Sequence, residues 1–349
     1  MRVLVTGHHG YIGVLLVPIL QKAGHEVVGL DTDLFVDSLF KGPLPKAHSI
    51  VKDIRDVERR DLEGFEAICH LAALSNDPLG NINPQLTYEI NHLASVNLAR
   101  LAKAAGVKRF LFSSSCSTYG AASQEQLLTE EAKFNPVTPY GHSKVLVERD
   151  LRDLADKNFS PIYLRNTTAY GVSQLLRFDL VLNNLVAWAI TTGKVLIKSD
   201  GTPWRPLVHI EDICHAFLAI LEAPKETVHN QAFNVGITEE NYQVRDLAQI
   251  VKETVPNCEI EYSADGAPDT RCYRVDFSKI KREVPAFKPQ WNVRRGAQEL
   301  YDTCRQADLT LEDFEGPKFK RIDHIKRLIA ADLLDENLRW RAAVPVTRH

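Results

Sequence analysis

The sequence predicts an α/β fold, in which a doubly wound parallel sheet is followed by a smaller C-terminal α/β lobe. Three observations lead to this prediction. Short apolar runs rich in β-branched residues alternate with longer helical stretches through the first half of the chain, as in a parallel sheet covered by helices on both faces. A glycine-rich turn directly follows the first of these runs. From about Val172 the pattern changes to helices separated by short, isolated strands.

Five apolar runs in the first half have the length and composition of buried strands. They are RVLVT (2–6), EVVGLD (26–31), AICHLAA (67–73), RFLFSSS (109–115) and SPIYLRN (160–166). Helical patterns separate them at residues 10–24, 86–106 and 140–157. The first two of these helices end at a glycine, which is a common helix stop. Parallel strands joined by right-handed crossovers of this kind give a doubly wound sheet.

The second half contains three further helical patterns, at 176–193, 210–224 and 241–255. Only short strands lie between them, so we expect a smaller lobe that closes over the carboxyl edge of the sheet. The stretch from Pro317 mixes Lys and Arg with Leu, Ile and Ala, and it predicts one or two terminal helices. We therefore divide the chain into segments 1–172, 173–316 and 317–349.

Composition narrows the classes of partner. The 349 residues carry a net charge of −3, which argues against nucleic acid or an anionic membrane as a partner. No apolar run reaches the 18 or so residues of a membrane span, and we expect no signal peptide because Met1 leads directly into the first strand. The cysteines show no CxxC spacing, which favours reduced thiols in a cytoplasmic protein. The histidines lack metal-ligand spacing, and we predict no metal site.

The glycine-rich turn VTGHHGYIG lies between the first strand and the first helix. Glycine permits a tight turn and lets backbone N–H groups approach a pyrophosphate at the positive end of the helix. An acidic residue, Asp31, closes the second strand, where a carboxylate accepts from a ribose 2′-hydroxyl and repels a 2′-phosphate. The pattern therefore predicts NAD rather than NADP. The expected contacts on the turn are Gly7, Gly10, Tyr11, Ile12 and Gly13.

Two later stretches extend the predicted NAD site. In KDIRD, Asp53 and Ile54 are placed to meet the edge of an adenine. In HLAA, a strand ends on small residues, which lets a dinucleotide pass close to Leu71, Ala72 and Ala73. Because the carboxyl ends of parallel strands meet at one edge of the sheet, these residues are expected to lie near the glycine-rich turn.

A tyrosine and a lysine share one helix face in TPYGHSKVLVE, since Tyr140 and Lys144 are four positions apart. A neighbouring ammonium favours the phenolate and lowers the tyrosine pKa, which suits a general base. The serine-rich strand end FSSSCSTYG lies upstream, and a hydroxyl from it could hydrogen-bond a substrate oxygen. Together with the glycine-rich turn, these residues predict an enzyme that transfers hydride to and from NAD.

At this point the sequence resembles the extended short-chain dehydrogenase/reductase family, and within it the nucleotide-sugar epimerases and dehydratases. The resemblance covers roughly residues 1–300 and implies that segment 1–172 is a Rossmann-type NAD-binding domain. It also implies that segment 173–316 is mainly a nucleotide-sugar-binding lobe. The motifs that carry it are TGHHGYIG, Asp31, DIRD, HLAA, FSSSCSTYG, YGHSK, LRNTTAYG, GTPWRPLVHIEDICHAF and RCYRVDFSK.

The resemblance assigns roles in the catalytic helix and its surroundings. Tyr140 falls on the catalytic base, Lys144 on the ligand of the nicotinamide ribose, and Ser115 on the residue that hydrogen-bonds the substrate. Asn91 falls on the position that props the active-site helices, and we group it with Ser113 among the expected cofactor-binding residues. Members of the family commonly form homodimers through helices that correspond here to 86–105 and 140–157, so a homodimer is expected.

For the substrate, the resemblance implies a nucleoside-diphosphate sugar. Arg205 and Arg271 fall where such enzymes place arginines near the diphosphate, and guanidinium groups suit bidentate phosphate contacts. Asn184 falls where a contact to the nucleotide is usual. One position departs from the family pattern: LRNTTAYG has Thr168 where an asparagine is usual, so we expect the substrate contact made there to differ from that of the family.

The residues after Ser115 bear on the type of reaction. By the resemblance, 4,6-dehydratases carry an Asp-Glu pair there and sugar-acid decarboxylases a Glu, whereas this chain has Cys116 and Ser117. Neither residue can act as the carboxyl acid/base. We therefore predict a 4-epimerase, in which Tyr140 takes a hydroxyl proton, hydride leaves C4 for NAD⁺, and the transient 4-keto sugar takes the hydride back on its other face.

Three alternatives stay open at the level of sequence. The first is an NADH-dependent 4-ketoreductase of a nucleotide deoxysugar. The second is an epimerase at C3 or C5 that uses Cys116 as an extra acid/base; His142 is set aside because its place on the helix points it away from Tyr140. The third belongs to another class: a sensor that binds the dinucleotide and does no chemistry, which would be expected to lack the Tyr-Lys pair.

Overall fold

The computed structural model describes residues 1–75, 83–121, 127–263 and 272–341. Its strands are β1 (Arg2–Thr6), β2 (Glu26–Asp31), β3 (His48–Val51), β4 (Ala67–His70), β5 (Arg109–Ser115), β6 (Leu127–Leu128), β7 (Ser160–Asn166), β8 (Thr168–Tyr170), β9 (Lys194–Ile197), β10 (Trp204–His209), β11 (Ala232–Val235), β12 (Asn241–Gln243), β13 (Glu259–Tyr262) and β14 (Arg274–Val275). Its helices are α1 (Gly13–Lys22), α2 (Pro84–Tyr88), α3 (Ser95–Ala104), α4 (Pro139–Arg152), α5 (Val181–Thr192), α6 (Ile210–Glu222), α7 (Lys225–Val228), α8 (Val244–Thr254), α9 (Ser278–Glu283), α10 (Val293–Gln306), α11 (Leu311–Glu315) and α12 (Arg321–Ala330). A π-helical segment, Glu89–Ala94, joins α2 to α3.

The central element is a parallel sheet of seven strands in the order β3-β2-β1-β4-β5-β7-β11. The direction of winding reverses between β1 and β4, so their carboxyl ends leave a crevice where open α/β sheets bind ligands. All five predicted strands belong to this sheet, and the expected doubly wound Rossmann-type fold is confirmed. The sequence did not predict β3 and β11, which are four-residue strands at the two edges.

The sheet is buried on both faces, which explains why its strands are continuous apolar runs. Along β1, Val3 and Val5 pack into one core together with side chains of α1 and α6. Leu4, between them, points into a second core with side chains of α3 and α4. Each strand of this kind therefore serves two hydrophobic layers, and period-2 alternation is absent from the sequence.

The second lobe is built on short sheets with the pairings β12-β10-β8 and β13-β9. The chain does not stay in this lobe after Val172, because α6 packs against the main sheet and β11 pairs with β7 inside it. The predicted segments 1–172 and 173–316 are therefore interleaved in space rather than strictly sequential. None of the helices in the described ranges has the length and apolar character of a membrane span.

The C-terminal tail folds back onto the sheet domain. Side chains of α12, among them Ile325 and Leu328, form a third apolar cluster with Leu74 and Leu86. After the helix, the tail makes an isolated bridge between Leu334 and Trp340. The tail thereby lies beside the crevice at the carboxyl edge of the sheet.

Candidate active site

One large cavity, with a volume of about 940 Å³, opens at the carboxyl ends of β1, β2, β4, β5 and β7. Its size is near the upper end of the roughly 300–1,000 Å³ typical of small-molecule sites, which suits a dinucleotide with a second ligand. It brings together nearly all of the residues that the sequence predicted for the site. These are Gly7, Gly10, Tyr11, Ile12, Gly13, Asp31, Asp53, Ile54, Leu71, Ala72, Ala73, Ser113, Ser115, Tyr140, Lys144, Thr168, Asn184 and Arg205.

The glycine-rich turn forms a tight cradle above the first helix. Gly7 has φ +73°, and a Cβ there would lie 2.7 Å from the backbone nitrogen of Ala72. A Cβ on Gly13 would lie 2.3 Å from the carbonyl oxygen of Gly7, so a side chain at either position would force the backbone apart. The first turn of α1 contains no acidic residue. Backbone N–H groups and the positive helix end are thus available for a pyrophosphate.

Asp31 lies at the end of β2, next to this turn. Its Oδ2 accepts the backbone N–H of His9 at 3.0 Å, and its Oδ1 accepts the N–H of Asp33 at 3.0 Å. Burial, and after it the Asp33 carboxylate, raises the pKa of Asp31, while the two backbone donors oppose that rise. The carboxylate is therefore fixed in place, with further lone pairs for a ribose hydroxyl.

Asp53 has a structural role as well as a place in the cavity wall. Its Oδ1 accepts the backbone N–H of Arg55 at 2.8 Å, and its Oδ2 pairs with the Arg55 guanidinium at 2.6 Å. Burial opposes ionisation, but the bonds from Arg55 outweigh it and lower the pKa of Asp53. The carboxylate stays charged and holds the turn on which the neighbouring Ile54 faces the cavity.

At the end of β5, the serine-rich stretch turns into a single 3₁₀ turn. Ser115 caps this turn, because its Oγ accepts the backbone N–H of Ser117 at 3.1 Å. Its own hydroxyl hydrogen is left to donate to a substrate oxygen. Cys116 is fully buried, and its Sγ donates to the carbonyl of Arg165 at 3.2 Å. Burial raises the pKa of this thiol well above its ordinary value.

The position of Cys116 corrects one of the alternatives. The thiol is absent from the cavity lining and faces the protein core instead. A protonated, buried thiol cannot exchange protons with a sugar in the cavity. An epimerase at C3 or C5 that uses Cys116 as acid/base is therefore excluded by this geometry.

Tyr140 and Lys144 lie on one face of α4, as predicted. The Nζ atom of Lys144 is 5.5 Å from the centroid of the Tyr140 ring, and it donates to the carbonyl of Ser113 at 2.7 Å. Burial lowers the pKa of Lys144 to about 7, and the Glu148 carboxylate partly opposes this. The ammonium is thus close enough to favour a tyrosine phenolate.

A buried ion pair between Arg165 and Glu148 holds α4, the helix that carries Tyr140 and Lys144, against the sheet. The guanidinium of Arg165 donates to Glu148 at 2.7 Å, and Ser114 donates to the same carboxylate at 2.5 Å. Arg165 also donates to the hydroxyl of Tyr119 at 3.0 Å. These bonds connect α4, β5 and β7, so they fix the helix that carries Tyr140 relative to the serine-rich strand end.

Asn91 does not line the cavity, so its expected place among the cofactor contacts is not supported by its position. It is buried, and its Oδ1 accepts the backbone N–H of Leu74 at 2.7 Å. Its Nδ2 donates to the carbonyl of Leu74 at 3.0 Å and contacts Ser143 Oγ at 3.4 Å. This geometry is that of a prop between the β4 loop and α4, which is the other role that the resemblance implied.

The second-lobe side of the cavity contains the expected substrate residues. Arg205 is almost completely buried and donates to the carbonyl of Trp204 at 2.8 Å. Asn184 donates to the carbonyl of Phe178 at 2.8 Å, and Thr168 lies on β8 beside them. Arg271 lies outside the described residues, so its assignment stays a prediction.

Several lining residues were missed at the level of sequence. The helix predicted at 176–193 begins only at Val181, and Arg177 and Asp179 therefore lie in the preceding loop, joined by an ion pair of 2.6 Å.

Two buried atoms of cavity-lining residues, Asn166 Oδ1 and Ser117 Oγ, have no hydrogen-bond partner among the described residues. Polar groups of a nicotinamide or a sugar would supply such partners, so the site fits NAD, the cofactor that the glycine-rich turn predicts.

Comparisons with known proteins agree with this geometry. A family model described as the NAD dependent epimerase/dehydratase family matches residues 3–236. UDP-glucose 4-epimerase of Lactobacillus helveticus is 30% identical over 318 residues, which cover 83% of this chain and 92% of the relative. UDP-glucuronic acid decarboxylase 2 of Arabidopsis thaliana is 27% identical and covers 88% of this chain and 68% of its own.

The fold is shared with a solved structure as well. The structure of UDP-glucose 4-epimerase with UDP-glucose from Thermotoga maritima superimposes with a TM-score of 0.76 at 25% identity, and covers 88% of this chain and 99% of its own. The match of the family model extends over the glycine-rich turn, the serine-rich strand end and the Tyr-Lys helix. The cavity, its residues and these comparisons together show that the chain is an enzyme that uses NAD and belongs to the NAD-dependent epimerase/dehydratase family.

Proposed function

We propose that the chain is a nucleoside-diphosphate-sugar 4-epimerase that acts through a transient 4-keto sugar. When bound, NAD⁺ supplies the hydride acceptor for C4 and returns the hydride later. Tyr140 takes the proton of the C4 hydroxyl and returns it after the 4-keto sugar has rotated to present its other face. Lys144 holds positive charge beside the phenolate, and Ser115 donates a hydrogen bond to the reacting oxygen. Arg205 and Asn184 line the second-lobe side of the cavity, where they would contact the nucleotide part of the substrate.

The observation that carries this proposal concerns the carboxylates of the cavity. Among the described lining residues, the acids are Asp31, Asp53, Asp179 and Glu315. Asp31 and Asp53 belong to the expected adenosine end, beside the first two strands. Both oxygens of Asp179 accept from Arg177, at 3.0 and 2.6 Å, and Glu315 pairs with Lys320 at 2.7 Å.

Among the described residues that line the cavity, no carboxylate therefore lies beside Ser115, where Cys116 and Ser117 follow it. Elimination of water across C5–C6 needs a nearby acid and base, whereas return of hydride to C4 needs only the groups already present. This favours epimerisation over dehydration or decarboxylation. The curated relatives include both UDP-glucose 4-epimerases and UDP-glucuronic acid decarboxylases, so the family alone does not choose between them.

A direct experiment tests the proposal. Purified protein is incubated with UDP-, dTDP-, GDP- and CDP-hexoses without added cofactor, and the sugars are analysed by NMR. We expect the 4-epimer of at least one of them. If none yields a 4-epimer, but NADH is consumed with 4-keto sugars, the protein is a ketoreductase and the proposal is wrong.

The expected homodimer also belongs to the proposal. Leu93, at 56% exposed, is the most exposed large apolar side chain among the described residues, and it lies on the Glu89–Ala94 segment beside α4. The His92 ring on the same segment contacts Asp150 of α4 at 2.6 Å. Light scattering after size exclusion should show a dimer, and Leu93→Asp should shift it to a monomer.

A further inference from the structure

The C-terminal tail crosses the end of the cavity that contains Asp31 and Asp53. The indole N–H of Trp340 donates to the carbonyl of Thr32 at 2.7 Å, directly after Asp31. Arg55 donates to the carbonyl of Asn337 at 2.9 Å. The tail is therefore tied to the loop after β2 and to the turn after β3, which are the two segments expected around an adenosine.

Further contacts hold the helix of the tail against the same end. His324 Nε2 lies 2.8 Å from the carbonyl of Leu34, and Arg339 forms an ion pair with Asp56. The tail residues Ile322 and Leu338 line the cavity itself. The tail thus forms part of the cavity wall, and we call residues 317–341 the strap.

The strap brings a cation into the cavity. Arg321, at the start of α12, is a lining residue, and its guanidinium lies 4.4 Å from the centroid of the Phe35 ring. The described residues offer it no hydrogen bond and no ion pair. Burial, and after it the cation of Arg177, lowers the pKa of Arg321 to about 9, while Asp179 and Asp31 oppose this. The described lining contains eight Lys and Arg side chains and four Asp and Glu side chains, so the cavity has an excess of positive charge that an anion would relieve.

We propose that Arg321 is a ligand of the cofactor pyrophosphate and that the strap retains the bound dinucleotide. Arg321 lines the same cavity as Asp31, the expected ribose ligand, and Tyr11 of the glycine-rich turn, and it packs on Phe35 in the loop after β2. The turn supplies N–H groups on one side, and a guanidinium suits a bidentate phosphate contact on the other. The diphosphate of the sugar is expected near Arg205, on the second lobe.

Retention has a consequence for the reaction. An epimerase that returns hydride to the same sugar has no need to release its cofactor, whereas a ketoreductase must exchange NAD⁺ for NADH in every turnover. A strap across the adenosine end suits an epimerase that keeps its cofactor bound. The inference rests on the use of NAD and not on which sugar reaction follows.

The experiment measures release of NAD⁺ and needs no sugar. Holoprotein is desalted, its bound NAD⁺ is quantified after denaturation, and exchange against excess isotope-labelled NAD⁺ gives a release rate. We expect Arg321→Gln to release NAD⁺ ~10- to 100-fold faster, the range for a lost hydrogen bond to a charged group. Lys326→Gln removes a charge from the exposed face of the same helix and should leave the release rate unchanged.

A second variant tests the strap without touching the cation. Trp340→Phe removes the donor to Thr32, and we expect release of NAD⁺ ~2- to 10-fold faster. If Arg321→Gln fails to fold, an unchanged release rate in a folded Trp340→Phe protein would overturn the proposal that the strap retains the dinucleotide. Equal release rates for wild type and a folded Arg321→Gln protein would overturn the proposal. Slow release in a protein that makes no 4-epimer would leave the strap intact and contradict only the proposed function.

Discussion

The two ends of the cavity are built in different ways. The catalytic end is made by residues of β5 and α4. The buried carboxylate of Glu148 fixes α4 to β5 through Ser114 and to β7 through Arg165. The adenosine end is closed by the strap, whose contacts to the sheet domain include single hydrogen bonds, the ion pairs of Arg339 with Asp56 and Asp53, and a small apolar cluster. The comparison suggests that precise positioning serves the chemistry, while a separate, weaker closure serves retention of the cofactor.

The largest effect is expected at the support of the catalytic end. Arg165→Met removes the close, buried partner of Glu148 and leaves that carboxylate with only the more distant cation of Arg152, at 3.9 Å, so the free energy of unfolding should fall by about 3–5 kcal/mol. Urea unfolding followed by circular dichroism measures this. The matched change at the strap is Arg339→Met, which breaks the exposed ion pair with Asp56. It should lower the free energy of unfolding by at most about 1 kcal/mol. Similar losses for the two variants would remove the contrast between the ends.

The next effect separates chemistry from retention. Tyr140→Phe removes the general base and should lower kcat at least ~100-fold, the size usual for such a group. Its NAD⁺ content should be that of the wild type, because the adenosine end is untouched. Tyr262→Phe, at an exposed position on β13, is the control. Near-normal turnover in Tyr140→Phe would show that another group takes the proton.

The smallest effect is a pH dependence of stability at the catalytic end. Burial lowers the pKa of Lys144 to about 7, so between pH 7 and roughly pH 10 the unfolded chain binds a proton that the folded chain lacks. Lys144 therefore makes the cofactor-free protein more stable as pH rises through this window, by at most about 1.4 kcal/mol per pH unit. In Lys144→Met this contribution is absent. The unfolding free energy of the wild type minus that of Lys144→Met, measured at pH 6.5, 8 and 9.5, should increase with pH. A difference that stays constant would contradict the prediction.

The sequence predicted the catalytic end well because its signals are local. The spacing of Tyr140 and Lys144 on one helix, and the glycines of a single turn, are set by residues close in the chain. Cys116 shows the limit of such signals, since only the packing of β5 on β7 decides whether its thiol faces the cavity or the core. The burial of that thiol has now removed an alternative that the sequence left open.

The strap across the adenosine end was not predictable in the same way. His324 and Leu34, which meet across it, are 290 positions apart in the chain, and no local pattern connects α12 to a cofactor site. The loop with Arg177 was missed because an apolar helical pattern continues backward past Val181, where the helix begins. The edge strands β3 and β11 were missed because four residues are too few to show a period.

The central claim is that hydride leaves C4 and returns to C4 of the same sugar while the cofactor stays bound. The most direct test uses a nucleoside-diphosphate hexose that turns over in the screen, deuterated at C4, with no added NAD⁺. NMR should show a 4-epimer that retains its deuterium at C4, with no solvent hydrogen at C3 or C5. Loss of the deuterium from the product, or exchange with solvent at C3 or C5, would contradict the claim.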